Sequence, residues 1–209
     1  MYRAIIWNNE IKIETNPELF SPEYVDRGTM AMLNNIDLKE DEKVLDLGCG
    51  TGIVGIAAAK VLEEEKVVMA DVDPIAVETS KHNAILNGVG EIKILQSDGF
   101  RNIDDFDFTL ILSNPPYHTD FSVAKHFIEE GNKHLLLGGK MVLVVKRLKW
   151  YKNKMTSIFG GVKVIEEDGY YILISEKREK PNKEKRDKPI KKKHMKKLMK
   201  SKRRGINYE

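Results

Sequence analysis

The chain has 209 residues, enough for one ordinary domain with a real core and some length to spare. No apolar run approaches the ~18 residues of a membrane span, and charges at Arg3, Glu10, Lys12, Glu14 and Glu18 fit no secretory leader, so a cytoplasmic location is expected. The single cysteine, Cys49, excludes an internal disulfide, and with five scattered histidines it offers no metal-ligand spacing. Charge divides the chain: residues 176–209 carry 16 Lys or Arg against 5 Asp or Glu, whereas residues 1–175 carry 19 against 27.

In chain order, residues 43–47 read as a short buried strand running into glycines, and Ile53, Ile56, Ala57 and Val61 then recur at helical spacing. Residues 66–70 give a second strand. Asp73 is a good N-cap and Pro74 a good first residue for the next helix, which should close at Asn87-Gly88. A third strand is expected at 92–95, a fourth at 108–112, a helix over 122–137 ended by Gly138-Gly139, and a fifth strand at 141–145. Strands alternating with helices imply a parallel sheet with right-handed crossovers.

The alternation then breaks. A helix over 150–159 is followed by strands at 162–167 and 170–175, with Asp168-Gly169 between them. Asp-Gly is a hairpin signal because both turn residues need positive φ, so the seventh strand should be antiparallel. A mostly parallel sheet with such a final hairpin resembles the Rossmann-like class I methyltransferase fold, a doubly wound α/β architecture of strand order 3-2-1-4-5-7-6. That domain is expected over residues 1–176. Residues 177–209 form a basic tail with little to build a core, in which Met195, Leu198 and Met199 fall at i, i+3 and i+4, as in a short helix made against a partner. The tail reads either as a solubilising end or as an arm for nucleic acid.

The first chemistry lies in Asp46-Leu47-Gly48-Cys49-Gly50-Thr51-Gly52. A glycine loop between strand and helix lets backbone N–H groups approach a ligand closely. Gly50, Gly52 and Gly55 also satisfy the dinucleotide pattern, with Asp71 where a ribose-binding acid would stand, so a dehydrogenase must be weighed. Asp46, two residues before the first glycine, favours a methyltransferase, whose D-x-G-x-G-x-G pattern sets an acid near a ligand bearing an amine and a sulfonium. Asp71, with Val72 beside it, can accept both ribose hydroxyls. Asp98, followed by Gly99, stands after the third strand, where methyltransferases bond the adenine amino group, although an Asp beside a glycine is also an ordinary turn residue.

Asn114-Pro115-Pro116-Tyr117 follows the fourth strand. An exocyclic amine on a base is a poor nucleophile because its lone pair is delocalised into the ring. If the Asn114 side-chain oxygen and the Pro115 carbonyl each accept one N–H, the nitrogen is drawn toward a tetrahedral shape with its lone pair free for the methyl group. The prolines fix φ and remove donors, and Tyr117 can stack on a planar substrate. Methyl transfer from a sulfonium then needs alignment more than a strong base.

Residues 11–177 resemble the small-domain methyltransferase family that includes ribosomal RNA guanine-N2 methyltransferases. The resemblance rests on Phe20-Ser21, on the run from Val25 to Thr29, on Asp46 to Gly52, on Ala70-Asp71, on Asn114 to Tyr117 and on Leu137-Gly138-Gly139. It implies S-adenosylmethionine as cofactor, guanine N2 of ribosomal RNA as target, and an N-terminal segment, about residues 1–40, that helps close the pocket. Within that segment Phe20 would line the substrate side and Thr29 would reach the cofactor, though an N-cap role explains Thr29 almost as well. Asn-Pro-Pro-Tyr also occurs in adenine-N6 methyltransferases and in enzymes methylating a glutamine side chain of release factors. A non-catalytic RNA-binding protein is the rival from another class, since the tail alone could bind phosphates.

Overall fold

The computed structural model of the chain describes residues 1–16, 19, 24–115 and 121–179. A parallel core is laid down by β3 (Val44–Leu47), α2 (Ile53–Ala59), β4 (Val67–Asp71), α3 (Pro74–Leu86), β5 (Lys93–Gln96), β6 (Phe108–Ser113), α4 (Phe121–His134) and β7 (Leu135–Val145). After α5 (Leu148–Phe159), β8 (Lys163–Glu167) and β9 (Tyr170–Glu176) close the sheet as an antiparallel hairpin. The sheet order is β5-β4-β3-β6-β7-β9-β8, which is 3-2-1-4-5-7-6 when its strands alone are numbered. The expected architecture is therefore the observed one. Asp168 and Gly169 both take positive φ, 51° and 77°, as the hairpin requires.

Core side chains fill both faces of the sheet. Val44, Met69, Leu110, Leu112 and Val144 pack with α2 on one side, while Leu45, Leu47, Ile111, Leu143 and Val145 pack with α4 and α5 on the other. Consecutive residues pointing to opposite buried faces explain why these strands read as unbroken apolar runs.

Two elements differ from expectation. The helix predicted to 137 ends at His134, and Leu135 to Leu137 belong to the eleven-residue β7. Leu135 pairs with Phe108, and Gly138 and Gly139 exchange hydrogen bonds of 2.8 Å with Lys177, so those glycines sit inside a ladder and do not stop a helix. A short leucine run reads alike in either state by periodicity. Ahead of the sheet lies a hairpin absent from the sequence reading, β1 (Tyr2–Ile6) and β2 (Asn9–Ile13), followed by α1 (Arg27–Asn34). Its turn is Trp7-Asn8, both at positive φ, and a tryptophan there gives no turn signal.

Candidate active site

The carboxyl ends of β3, β4, β5 and β6 open onto one cavity of about 470 Å³, in the range of small-molecule pockets. Its floor is the loop after β3. Gly48 and Cys49 donate their N–H groups to the Ala70 carbonyl, at 2.8 and 3.1 Å, which ties the loop to the end of β4. Gly52 caps α2 at φ 84°, a conformation that side-chain-bearing residues rarely adopt. Gly55 is fixed by close approach: a Cβ there would stand 2.3 Å from Met69 Sδ. The third glycine of the pattern thus serves helix-on-strand packing.

Of the five aspartates that line the cavity, Asp46, Asp71 and Asp98 are in three different states. Asp46 is 3% exposed and accepts the Gly55 N–H at 2.9 Å; burial, with the Asp71 charge nearby, pushes its carboxyl from 3.8 up to about 7. Asp71 accepts from Gly50 N at 2.9 Å with one oxygen and from Asp73 N at 3.0 Å with the other. Each of its oxygens keeps one further lone pair for a ligand, so the carboxylate is a cradle for the loop as well as an acceptor. Neither Asp46 nor Asp71 forms an ion pair among the described residues. Asp98 is exposed, its side chain 64% accessible, and it meets Arg101 Nη1 at 3.3 Å. Val72, itself 61% exposed, joins Val123, Phe127 and Gly99 in giving the cavity an apolar wall. Cys49 is buried, and burial with the Asp46 and Asp71 charges raises its thiol well above its ordinary value, which removes it as a nucleophile. Thr51 lines the cavity too, its carbonyl accepting from Asn83 Nδ2 at 2.9 Å.

Asn114 enters the same cavity from the end of β6, with Pro115 behind it. The Ser113 hydroxyl donates to the Leu47 carbonyl at 2.7 Å and holds the ends of β6 and β3 together. The Asn114 Nδ2 donates to Asp26 Oδ2 and to Thr29 Oγ1, both at 2.9 Å. A carboxylate is acceptor only, so this network fixes which end of the amide is nitrogen. Both of these bonds run from the amide nitrogen to the N-terminus of α1. Asp26, not Thr29, is the N-cap of α1, its Oδ2 also accepting the Thr29 N–H at 3.0 Å.

The cavity therefore brings together Asp46, Gly48, Cys49, Gly50, Thr51, Asp71, Val72, Asp98, Gly99, Thr29, Asn114 and Pro115 from the residues singled out in the sequence. Gly52 stands just outside, as the helix cap. Phe20, Pro116 and Tyr117 lie outside the described residues, as does the tail from 180 onward. Sequence reasoning missed Tyr2, Leu19, Asp26 and Phe127 on the cavity wall. Asp26 had a usable signal, an acid three residues ahead of Thr29 at a helix start; Tyr2 had none.

A family model described as Methyltransferase small domain matches residues 10–175. The chain belongs to the methyltransferase small domain family. Within and around this family, the chain is 32% identical over 166 residues to a Ribosomal RNA small subunit methyltransferase C from Hamiltonella defensa, covering 78% of this chain and 49% of that protein. It is 32% identical over 176 residues to the uncharacterized protein YbxB of Bacillus subtilis, covering 81% of this chain and 88% of the relative. Among solved structures it is similar to the Thermus thermophilus 16S rRNA N2 guanine methyltransferase RsmC, in complex with AdoMet and guanosine. That match has 26% identity and a TM-score of 0.77 and covers 85% of this chain and 50% of that one. The chain spans about half the length of the ribosomal RNA methyltransferases it matches.

Proposed function

We propose that the chain is an S-adenosylmethionine-dependent N-methyltransferase acting on an exocyclic amino group of a base in RNA, with guanine N2 of ribosomal RNA as the favoured target. The observation that carries this reading is the Asn114 amide, held by its nitrogen at the mouth of a cavity whose two inner acids have no basic partner among the described residues. Acids without cations suit a ligand bearing an ammonium and a sulfonium. They oppose a dinucleotide, whose pyrophosphate would bring negative charge over the loop beside Asp46. The family match and the printed activities of the ribosomal RNA relatives support the same choice.

When bound, S-adenosylmethionine supplies a methyl carbon on a sulfonium, whose C–S bond breaks with its electron pair leaving on sulfur. The chain's part is to place and orient. Asp71 would accept ribose hydroxyls with its remaining lone pairs, Val72, Val123 and Phe127 would offer an apolar wall to the adenine ring, and Asp98 would accept from its amino group. Asp46 would serve the cationic end. On the substrate side, Asp26 and Thr29 hold the Asn114 nitrogen, so that Asn114 Oδ1 and the Pro115 carbonyl present acceptors to the two hydrogens of the reacting amine. Those bonds would draw the nitrogen out of conjugation, and the cationic nitrogen formed by methyl transfer would then release one proton to solvent. Tyr117 would stack on the base and Phe20 would close the pocket over it. The tail would draw phosphates toward the site, and a cytoplasmic setting follows from such a substrate.

Purified protein incubated with labelled cofactor and cellular RNA, followed by digestion to nucleosides, tests the reading. Label in N2-methylguanosine is expected. Label in N6-methyladenosine, or in protein at a glutamine, would move the assignment to one of the other amines that Asn-Pro-Pro-Tyr enzymes methylate, and no label would reject the activity.

A further inference from the structure

For a base to reach Asn114, the phosphates on either side of it must be held at the carboxyl edge of the sheet, and the body that must hold them is acidic, with 19 Lys or Arg against 27 Asp or Glu over residues 1–175. Many of its cations are already neutralised. Lys43 pairs with Asp105 and Asp107, Lys93 with Asp105, Lys81 with Glu78, Lys133 with Glu130 and Lys154 with Glu129.

One stretch concentrates basic side chains, and of its members only Lys154 is among those pairs. Residues 146–154 contain five Lys or Arg and no acid. Arg147 and Lys149 are exposed and make no ion pair among the described residues, and the same is true of Arg27 at the start of α1. Helix stability does not account for them, since cations in the first turn of α5, where there is no acid, oppose the helix dipole.

These cations belong to segments at the same edge of the sheet as Asn114. Ser113 pairs with Leu143 across β6 and β7, so Lys146 leaves the sheet three residues, about 10 Å, beyond that pair, on the edge where Asn114 follows β6. Tyr170 joins the two groups. A Cβ on Gly28, next to Arg27, would lie 2.7 Å from its ring, and Lys146 Nζ stands 5.0 Å from the ring centroid on β9. Asp26, the residue before Arg27, is the one that holds Asn114.

Resting on the RNA reading above, we propose that Arg27, Arg147 and Lys149 form a phosphate-binding rim that holds the RNA backbone beside the nucleotide entering the Asn114 pocket. The rim is an electrostatic contact separate from the basic tail, carried by α1 and the start of α5 in the methyltransferase domain itself. Guanidinium groups suit it, because their planar donors match phosphate oxygens two at a time.

The test uses the full chain and a guanosine-containing single-stranded RNA dodecamer, with affinity measured between 50 and 200 mM salt. The triple variant R27Q/R147Q/K149Q should lower the log-log salt slope by about 2, at ~0.7 per lost contact, with cofactor affinity and thermal midpoint unchanged. The control variant K39Q/K60Q/K66Q removes the same charge at the opposite sheet edge and should keep the wild-type slope. A wild-type slope in the rim variant, or an equal loss in the control, overturns the rim. Wild-type protein that methylates no RNA rejects the RNA reading itself, whereas methylation of RNA with an unchanged rim-variant slope rejects the rim alone.

Discussion

The β3–β5 half of the sheet's carboxyl edge and the β6 corner beside it hold their ligand groups in opposite ways. The first half is held mainly by backbone: glycine N–H groups bond the Ala70 carbonyl and the Asp71 carboxylate, within a few residues of each strand end. At the β6 corner the holding is done by side chains from a distant segment, with Asp26 reaching Asn114 across 88 residues and Thr29 across 85. A backbone cradle tolerates changes in the side chains around it, whereas a corner built from two side-chain contacts fails when either is removed. The cofactor half should therefore lose affinity when altered, and the corner should lose turnover.

Asn114→Ala should give the largest effect, lowering turnover by ~100-fold or more while leaving cofactor affinity little changed. Steady-state kinetics with calorimetry separate the two, and a variant that keeps its turnover would sink the amide mechanism. Next comes Asp71→Ala, which should weaken S-adenosylmethionine binding by roughly 1.5 to 3 kcal/mol through lost charge-assisted hydrogen bonds. Because Asp71 also holds Gly50 N and Asp73 N, looser glycine-loop amides in hydrogen exchange should accompany the loss; unchanged affinity would count against the cradle.

Thr29→Val is a finer probe of the corner. It removes the hydroxyl that holds Asn114 but keeps the backbone N–H that Asp26 caps, so α1 should stay intact. Turnover should fall by about tenfold, the scale of one hydrogen bond, with a smaller change in cofactor affinity. An equal loss of both would make Thr29 a cofactor contact before anything else.

The smallest effect is a pH dependence. With its carboxyl at about 7, Asp46 gains its charge as pH rises through neutrality, and a cationic ligand favours the charged form. Cofactor affinity should rise severalfold between pH 6 and 7.5, bounded by about tenfold per unit for one proton, and Asp46→Asn should flatten the profile. Without ligand the sign reverses. The folded chain keeps a proton on Asp46 that the unfolded chain releases above 3.8, so the stability Asp46 contributes is greatest below that value and is lost as pH rises through 7.

The same contrast decides what was legible in the sequence. Asp46 to Gly52 is contiguous, and a strand, a turn and a helix N-terminus in one short run leave a pattern that can be read without knowing the fold. The parallel order was legible because apolar runs alternate with helical spacing, and the last hairpin because Asp168-Gly169 is a turn chemistry in itself. Asn114 could be found from its prolines, but not what holds it, since Asp26 is brought there by packing. The Trp7-Asn8 turn was hidden for a related reason: its positive φ is imposed by the hairpin around it, with Asn9 Nδ2 donating to the Trp7 carbonyl at 3.0 Å, and not by residues that prefer it.

That hairpin has an edge that could pair with another chain, and α3 occupies it. Asn87 accepts the Lys12 N–H at 2.9 Å and donates to the Lys12 carbonyl at 2.7 Å, while Asn83 does the same for Glu14 at 2.9 and 3.0 Å. Each carboxamide offers the donor and acceptor that a neighbouring strand would offer, at the alternate positions where β2 turns its backbone away from β1. The helix thus acts as a counterfeit strand on the β2 side, closing that edge to the strand-on-strand zippering an open ribbon invites without a third strand being made.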